Sequence, residues 1–314
     1  MTPSLPPRGQ PDLRVTLAGI ELKNPVIAAS GTFGYGLEFE DVVHLNKLGG
    51  FVVKGLSKEP MAGNPTPRLY ETAAGMVNAI GLQNIGVRSF IEEKLPKLRR
   101  IKDIVVFANV FGYTRQDYEQ VIRVLNEGEG IAAYELNVSC PNTAHGGIQF
   151  GSDPRLLDEV VSTSKRASRR PVIVKLSPNV TSIAHMARVA ETAGADAISL
   201  VNTFVAMAID AETRQPRIAN ITAGLSGPAI KPIALRMVYE AAKAVKIPVV
   251  GMGGIARAED IAEFMLAGAS AVEVGTASYW DPRATEKIVE ELREWCLQRG
   301  LMRVAELTGG LKTE

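Results

Sequence analysis

The chain has 314 residues, 46% of them hydrophobic and 22% charged, which is the composition of a soluble globular protein with material for one large α/β domain or two ordinary ones. Lys plus Arg number 35 against 34 for Asp plus Glu, so no field of one sign gathers nucleic acid or anionic lipid, and a small-molecule partner is expected. Cys140 and Cys296 are the only cysteines, which excludes a disulfide framework and a Cys-x-x-Cys cluster for zinc or iron–sulfur.

Residues 1–12 begin with a Pro-rich stretch that has no apolar run. They read as a flexible arm rather than a signal peptide or anchor, and the expected location is the cytoplasm. Residues 13–314 read as a single domain. Its first piece, 13–20, is a short hairpin with Ala18-Gly19 at the turn. Strand 25–30 stops at Ser30-Gly31-Thr32-Phe33-Gly34, 38–48 has helical spacing, and strand 51–54 follows Gly49-Gly50.

The same unit then recurs. Strands are expected at 105–109, 132–138, 171–176, 197–202, 248–251 and 271–275, and helices at 115–126, 154–167, 182–193, 229–245, 257–267 and 282–299, with Gly194 and Gly268 closing two of them. Eight strand–helix units whose strands are almost wholly apolar predict a closed (β/α)8 TIM barrel, its strands covered on both faces, rather than an open doubly wound sheet. Two long connections, 57–88 and 203–227, leave the C-terminal ends of their strands, the face where such barrels build their sites.

Chemistry concentrates at those strand ends. Strand 132–138 runs into Asn137-Val138-Ser139-Cys140-Pro141-Asn142, a position suited to a catalytic base. Gly251-Met252-Gly253-Gly254-Ile255 and Gly275-Thr276 end adjacent strands; glycines there let backbone N–H groups approach a phosphate, the alternative being ordinary tight turns. Lys54 and Lys175 end apolar strands and need anions, either a ligand or the strand residues Glu135 and Glu273. Asn78, Asn84, Asn109, Asn137, Asn142 and Asn202 form a candidate ring of carboxamides for a planar heterocycle with alternating N–H and C=O edges. His44 and His185 fall on expected helices and His145 in the loop after Cys140, without metal-ligand spacing.

These residues resemble the dihydroorotate dehydrogenases, in particular the catalytic chain of their cytosolic class 1, B type. The resemblance runs from Asn24 to about Trp280 through Ser30 to Gly34, Asn78-Ala79-Ile80-Gly81-Leu82-Gln83-Asn84, Asn137 to Asn142, Leu225-Ser226-Gly227-Pro228-Ala229, Gly253-Gly254-Ile255 and Gly275-Thr276. It implies FMN on the barrel, held by Ser30, Lys54, Gly55, Asn109, Asn137, Lys175, Val201, Gly227, Gly253, Gly254, Gly275 and Thr276. It also implies orotate contacts from Lys54, Asn78, Ala79, Ile80, Gly81, Leu82, Asn137, Asn202 and Thr203, with Cys140 as base. The activity implied is oxidation of dihydroorotate to orotate in pyrimidine biosynthesis, by a homodimer of this chain joined to an FAD- and iron–sulfur-containing subunit that passes electrons to NAD. The chain shows no second dinucleotide motif of its own. The alternatives are a fumarate-using A type, a flavin-free phosphosugar barrel and a non-catalytic scaffold.

Overall fold

The protein is described by a computed structural model that covers residues 9–139 and 150–313. Eight parallel strands close into a barrel: β1 (Val26–Ala28), β2 (Gly50–Val52), β3 (Val106–Val110), β4 (Ala133–Asn137), β5 (Val172–Lys175), β6 (Ala197–Leu200), β7 (Val249–Met252) and β8 (Ala271–Val274). Each pairs with the next in chain order, and β8 returns to β1 with Val274 opposite Ala28. Every residue of these strands except Asn137 is buried, because helices cover the outside while side chains fill the inside.

The outer helices form where the apolar spacing is helical and a local cap starts them. Thr114 and Asp117 make a reciprocal capping box at Arg115–Leu125, Asp153 accepts from Leu156 N–H ahead of Pro154–Ala167, and Ser182 caps Ile183–Thr192. Each such cap contributes roughly 1 kcal/mol. Lys231–Ala244, Ala258–Leu266 and Ala284–Gln298 complete the later part of the ring. Phe264, fully buried, lies over β7 so closely that a Cβ on Gly251 would stand 2.6 Å from its ring. Burial of a side chain of that size stabilises by about 1.5 to 3 kcal/mol.

Two expectations change in detail. The hairpin pairs Val15–Leu17 with Ile20–Leu22 through positive φ at Ala18 and Gly19, and Asp12 beside it bonds Met302 and Val304, tying the chain's beginning to its last turns. Residues 38–48 do not form an α-helix but two 3-10 turns, Leu37–Phe39 and Leu45–Lys47. Here Gly34 and Gly36 adopt positive φ, and the buried Glu286 carboxylate takes the His44 N–H and the Lys47 ammonium, supplying partners that a helix would otherwise provide.

The two long connections meet above the barrel. From 57–88 come Leu69–Thr72 and Gly75–Asn78, and from 203–227 come Phe204–Met207 and Thr222–Ser226. Together they make a four-stranded antiparallel sheet in which Leu225 pairs with Val77. Ile209–Asp210 and Gln215–Pro216 form a small hairpin beyond it. No helix of the described residues is long and apolar enough to cross a membrane.

Candidate active site

A cavity of about 530 Å3 lies between the C-terminal ends of the barrel strands and this covering sheet. All twelve residues expected to hold the cofactor line it, from Ser30 and Lys54 round to Gly275 and Thr276, and so do all nine expected on the substrate side. Residues to which the sequence gave no ligand contact join them: Ser139, Asn179, Ser226, Tyr279 and Trp280. Cys140, Asn142 and His145 lie outside the described residues, although Ser139, immediately before Cys140, is a lining residue.

One side of the cavity is built from glycine. Gly253 and Gly254 have φ of 126° and 79°, and Gly227 across from them has 96°, values that side chains disfavour. A Cβ on Gly254 would stand 2.8 Å from the Gly227 carbonyl oxygen and 2.8 Å from Lys231 Cβ. Gly275 differs, since a Cβ there would meet Ala29 at an ordinary 3.6 Å. Thr276 Oγ1 donates to Ser226 Oγ at 2.8 Å, stitching the end of β8 to the covering sheet.

The floor is polar and deeply buried. Lys175 Nζ lies 3.3 Å from Glu273 Oε2, 3.6 Å from Glu135 Oε2 and 3.4 Å from Ser30 Oγ. Glu135 also accepts from Asn109 Nδ2 at 2.6 Å and from Ser199 Oγ at 2.8 Å. Asn109 Oδ1 is buried and accepts no hydrogen bond. Burial disfavours charge on each of the three ionisable groups. The Lys175 ammonium and the neutral donors bring Glu135 below the usual carboxylate range, whereas burial and the Glu135 charge raise Glu273 well above it. Glu135 foremost, with Glu273, holds the Lys175 value up against its own burial.

The two lysines therefore divide. Lys175 has the carboxylate partners that the sequence offered as its alternative, while also facing the cavity. Lys54 has no acidic partner among the described residues, and burial, with the nearby Arg68 charge, lowers its pKa to about 8. Asn137 Oδ1 accepts from Asn202 Nδ2 at 3.3 Å and from Ser139 N–H at 3.4 Å, which fixes the amide's orientation. Asn78 donates to Gly224 O at 3.4 Å. Asn84 leaves the expected ring: it is a buried turn residue, binding Ser57 and donating to Leu82 O while it accepts from Gly86 N–H. His44 is likewise structural, bonded to Glu286.

A model of the family described as dihydroorotate dehydrogenase matches residues 12–296. The chain belongs to that family. Full-length relatives agree: a protein of Solibacter usitatus, provisionally named dihydroorotate dehydrogenase A (fumarate), is 64% identical over 96% of this chain and 99% of its own. Dihydroorotate dehydrogenase B (NAD(+)), catalytic subunit, of Pelobacter propionicus is 53% identical over 96% of this chain and 99% of its own. The protein of the same name from Geotalea uraniireducens is 53% identical over 97% and 100%. The dihydroorotate dehydrogenase family thus accounts for the barrel and for the placement of its cavity at the strand ends.

Proposed function

We propose that this chain oxidises dihydroorotate to orotate in de novo pyrimidine biosynthesis, in the cytoplasm, with FMN as its cofactor and NAD as the final acceptor reached through a partner subunit. The observation that carries the reading is Lys54, a largely buried cation with no acidic partner among the described residues, lining the same cavity as the glycine cradle. Such a lysine is matched to an anionic ligand, and the carboxylate of dihydroorotate supplies the charge. FMN fits the residues present: Gly253, Gly254, Gly275 and Thr276 would receive its phosphate, Asn109 Oδ1 offers a buried acceptor, and Lys175 supplies positive charge at the floor. Bound there, FMN supplies the two-electron acceptor for the hydride leaving C6.

The chain's own residues do the rest. Lys54, Asn78, Asn137 and Asn202 orient the substrate ring and its carboxylate, the covering sheet excludes water, and Cys140 removes the C5 proton. Cys140→Ala should retain FMN yet slow its single-turnover reduction by dihydroorotate at least about a hundredfold. An unchanged rate removes Cys140 from the chemistry.

The oxidant is the point on which the relatives' names divide. Ser30 to Gly34 follows the B-type pattern, which supports NAD and an FAD- and iron–sulfur-containing subunit docked on a homodimer of this chain. We assign the docking surface to the cavity rim, where Val205, Tyr279 and Trp280 are exposed. The test is steady-state turnover of the purified chain with dihydroorotate and each acceptor. Dye reduction without NAD or fumarate turnover, and NAD reduction once the partner is added, is the expected result. Rapid fumarate turnover by the chain alone assigns it to the A type instead.

A further inference from the structure

The floor holds more acid than the lysine above it needs. Two carboxyl groups and one ammonium meet in a buried space: Glu135 on β4, Lys175 on β5 and Glu273 on β8. With both carboxylates ionised the cluster would carry a net negative charge away from water, which burial disfavours. The hydrogen-bond donors are distributed unequally. Asn109 and Ser199 both donate to Glu135, whereas among the described residues Lys175 alone donates to Glu273. Two carboxyl groups around one buried ammonium do not both ionise readily, and the donors assign the charge to Glu135 and the proton to Glu273.

We propose that Glu273 is a positioning residue that acts through Lys175: while it holds its proton, Lys175 answers to one carboxylate and keeps positive charge directed into the cavity, and when it loses the proton that charge is cancelled. Glu273 lines the cavity beside Lys175, so the proton lies next to the place where the reaction accumulates electrons. Among the described residues no other titratable side chain enters the cluster. The residues of β1, β2 and β7 are apolar or glycine, β3 gives Asn109 and β6 gives Ser199. Lys54, beyond the end of β2, is influenced by Arg68 rather than by either glutamate.

This inference rests on the flavin reading above, and the experiment separates the two. The midpoint potential of the bound flavin is measured against pH in the wild-type holoenzyme, in Glu273→Gln and in Glu135→Gln. The wild type should show a break in slope, at a pH above the ordinary carboxylate range, where Glu273 deprotonates and the potential falls more steeply. Glu273→Gln, locked neutral, should keep its flavin and lose the break. Glu135→Gln should lose it too, because Glu273 then ionises beside Lys175 throughout the range. A break that persists in Glu273→Gln overturns the proposal while leaving the flavin reading intact; a purified chain without a flavin band overturns that reading instead. If Glu273→Gln does not fold, infrared spectra of the wild-type holoenzyme with 13C-labelled glutamate decide. A protonated glutamic acid band that disappears as pH rises through the break in slope is expected, and its absence on the acid side of that break sinks the idea.

Discussion

Asn109 Nδ2 donates to Glu135 at 2.6 Å while its Oδ1, fully buried, is left without a partner at the cavity wall. The amide is thereby oriented: its donor side is engaged with the carboxylate and its acceptor is presented toward Gly55, where a Cβ would stand only 2.7 Å away. A buried acceptor that accepts nothing costs about 1 to 3 kcal/mol unless a ligand N–H completes it. Asn109→Leu should therefore weaken FMN binding roughly tenfold to a hundredfold, while also removing a donor from Glu135. Equilibrium dialysis of flavin reads the effect, and unaltered affinity would mean that Oδ1 meets no ligand group.

The glycines at the ends of β7 and β8 make unequal demands. Gly254→Val should yield apoprotein, because its side chain collides with the Gly227 carbonyl and Lys231 in a backbone conformation that already disfavours it. Gly275→Ala should keep stoichiometric flavin, since its nearest neighbour is 3.6 Å away. Absorbance of the two purified variants tests both statements. Flavin retained in Gly254→Val would reduce that turn to a chain reversal.

How much of this could be read in advance depended on the range over which the information acts. Buried parallel strands carry apolar runs, and the expected strands fall within a few residues of β1 to β8 because both faces demand the same chemistry. Gly253-Gly254 and Lys54 were legible for the same reason: each is a local anomaly at a strand end. The covering sheet was not legible, since Asn78 pairs with Gly224 across most of the barrel and nothing local in either segment names the other. Ser226 reaches the cavity through that closure. Asn84 misled because a turn asparagine and a ligand asparagine look identical until their partners are known. The segment 38–48 misled because the partner that replaces its helix is Glu286, at the other end of the chain.

Lys54 makes substrate binding pH-dependent with a defined sign. Its folded value, about 8, is below the ordinary 10.5, so the unliganded protein is strained while the lysine is charged, and its stability rises as pH goes from about 8 to 10.5. Lys54→Met should stabilise the apoprotein at pH 7, on the order of 2 kcal/mol, while abolishing tight orotate binding. In the wild type, orotate affinity should be flat below about pH 8 and fall by up to about tenfold per pH unit above it, as the charge that pairs with the carboxylate is lost. Calorimetric titration with orotate across that range measures it. An affinity constant to pH 10 would show that Lys54 does not meet the carboxylate.

The opposite sign applies to Glu286, which holds the turns after β1. Its side chain is fully buried, accepts from Lys47 at 2.8 Å and from His44, and is lowered from 4.5 to about 2 by these bonds despite the burial that opposes them. A depressed carboxylate contributes stability that is fully present above its unfolded value and is lost as pH falls through the folded one. That window runs from about 4.5 down to about 2, and the contribution at neutral pH is at most about 3 kcal/mol. Glu286→Gln should therefore lower the urea midpoint at pH 7, and the gap from wild type should shrink steadily on acidification and largely close near pH 2. The affected region is predictable as well. Hydrogen exchange should quicken first at His44, whose N–H is bonded to that carboxylate, rather than throughout the barrel. If the gap between the variant and the wild type is the same at pH 3 as at pH 7, the loss comes from packing, and the charge on Glu286 does not hold the turn.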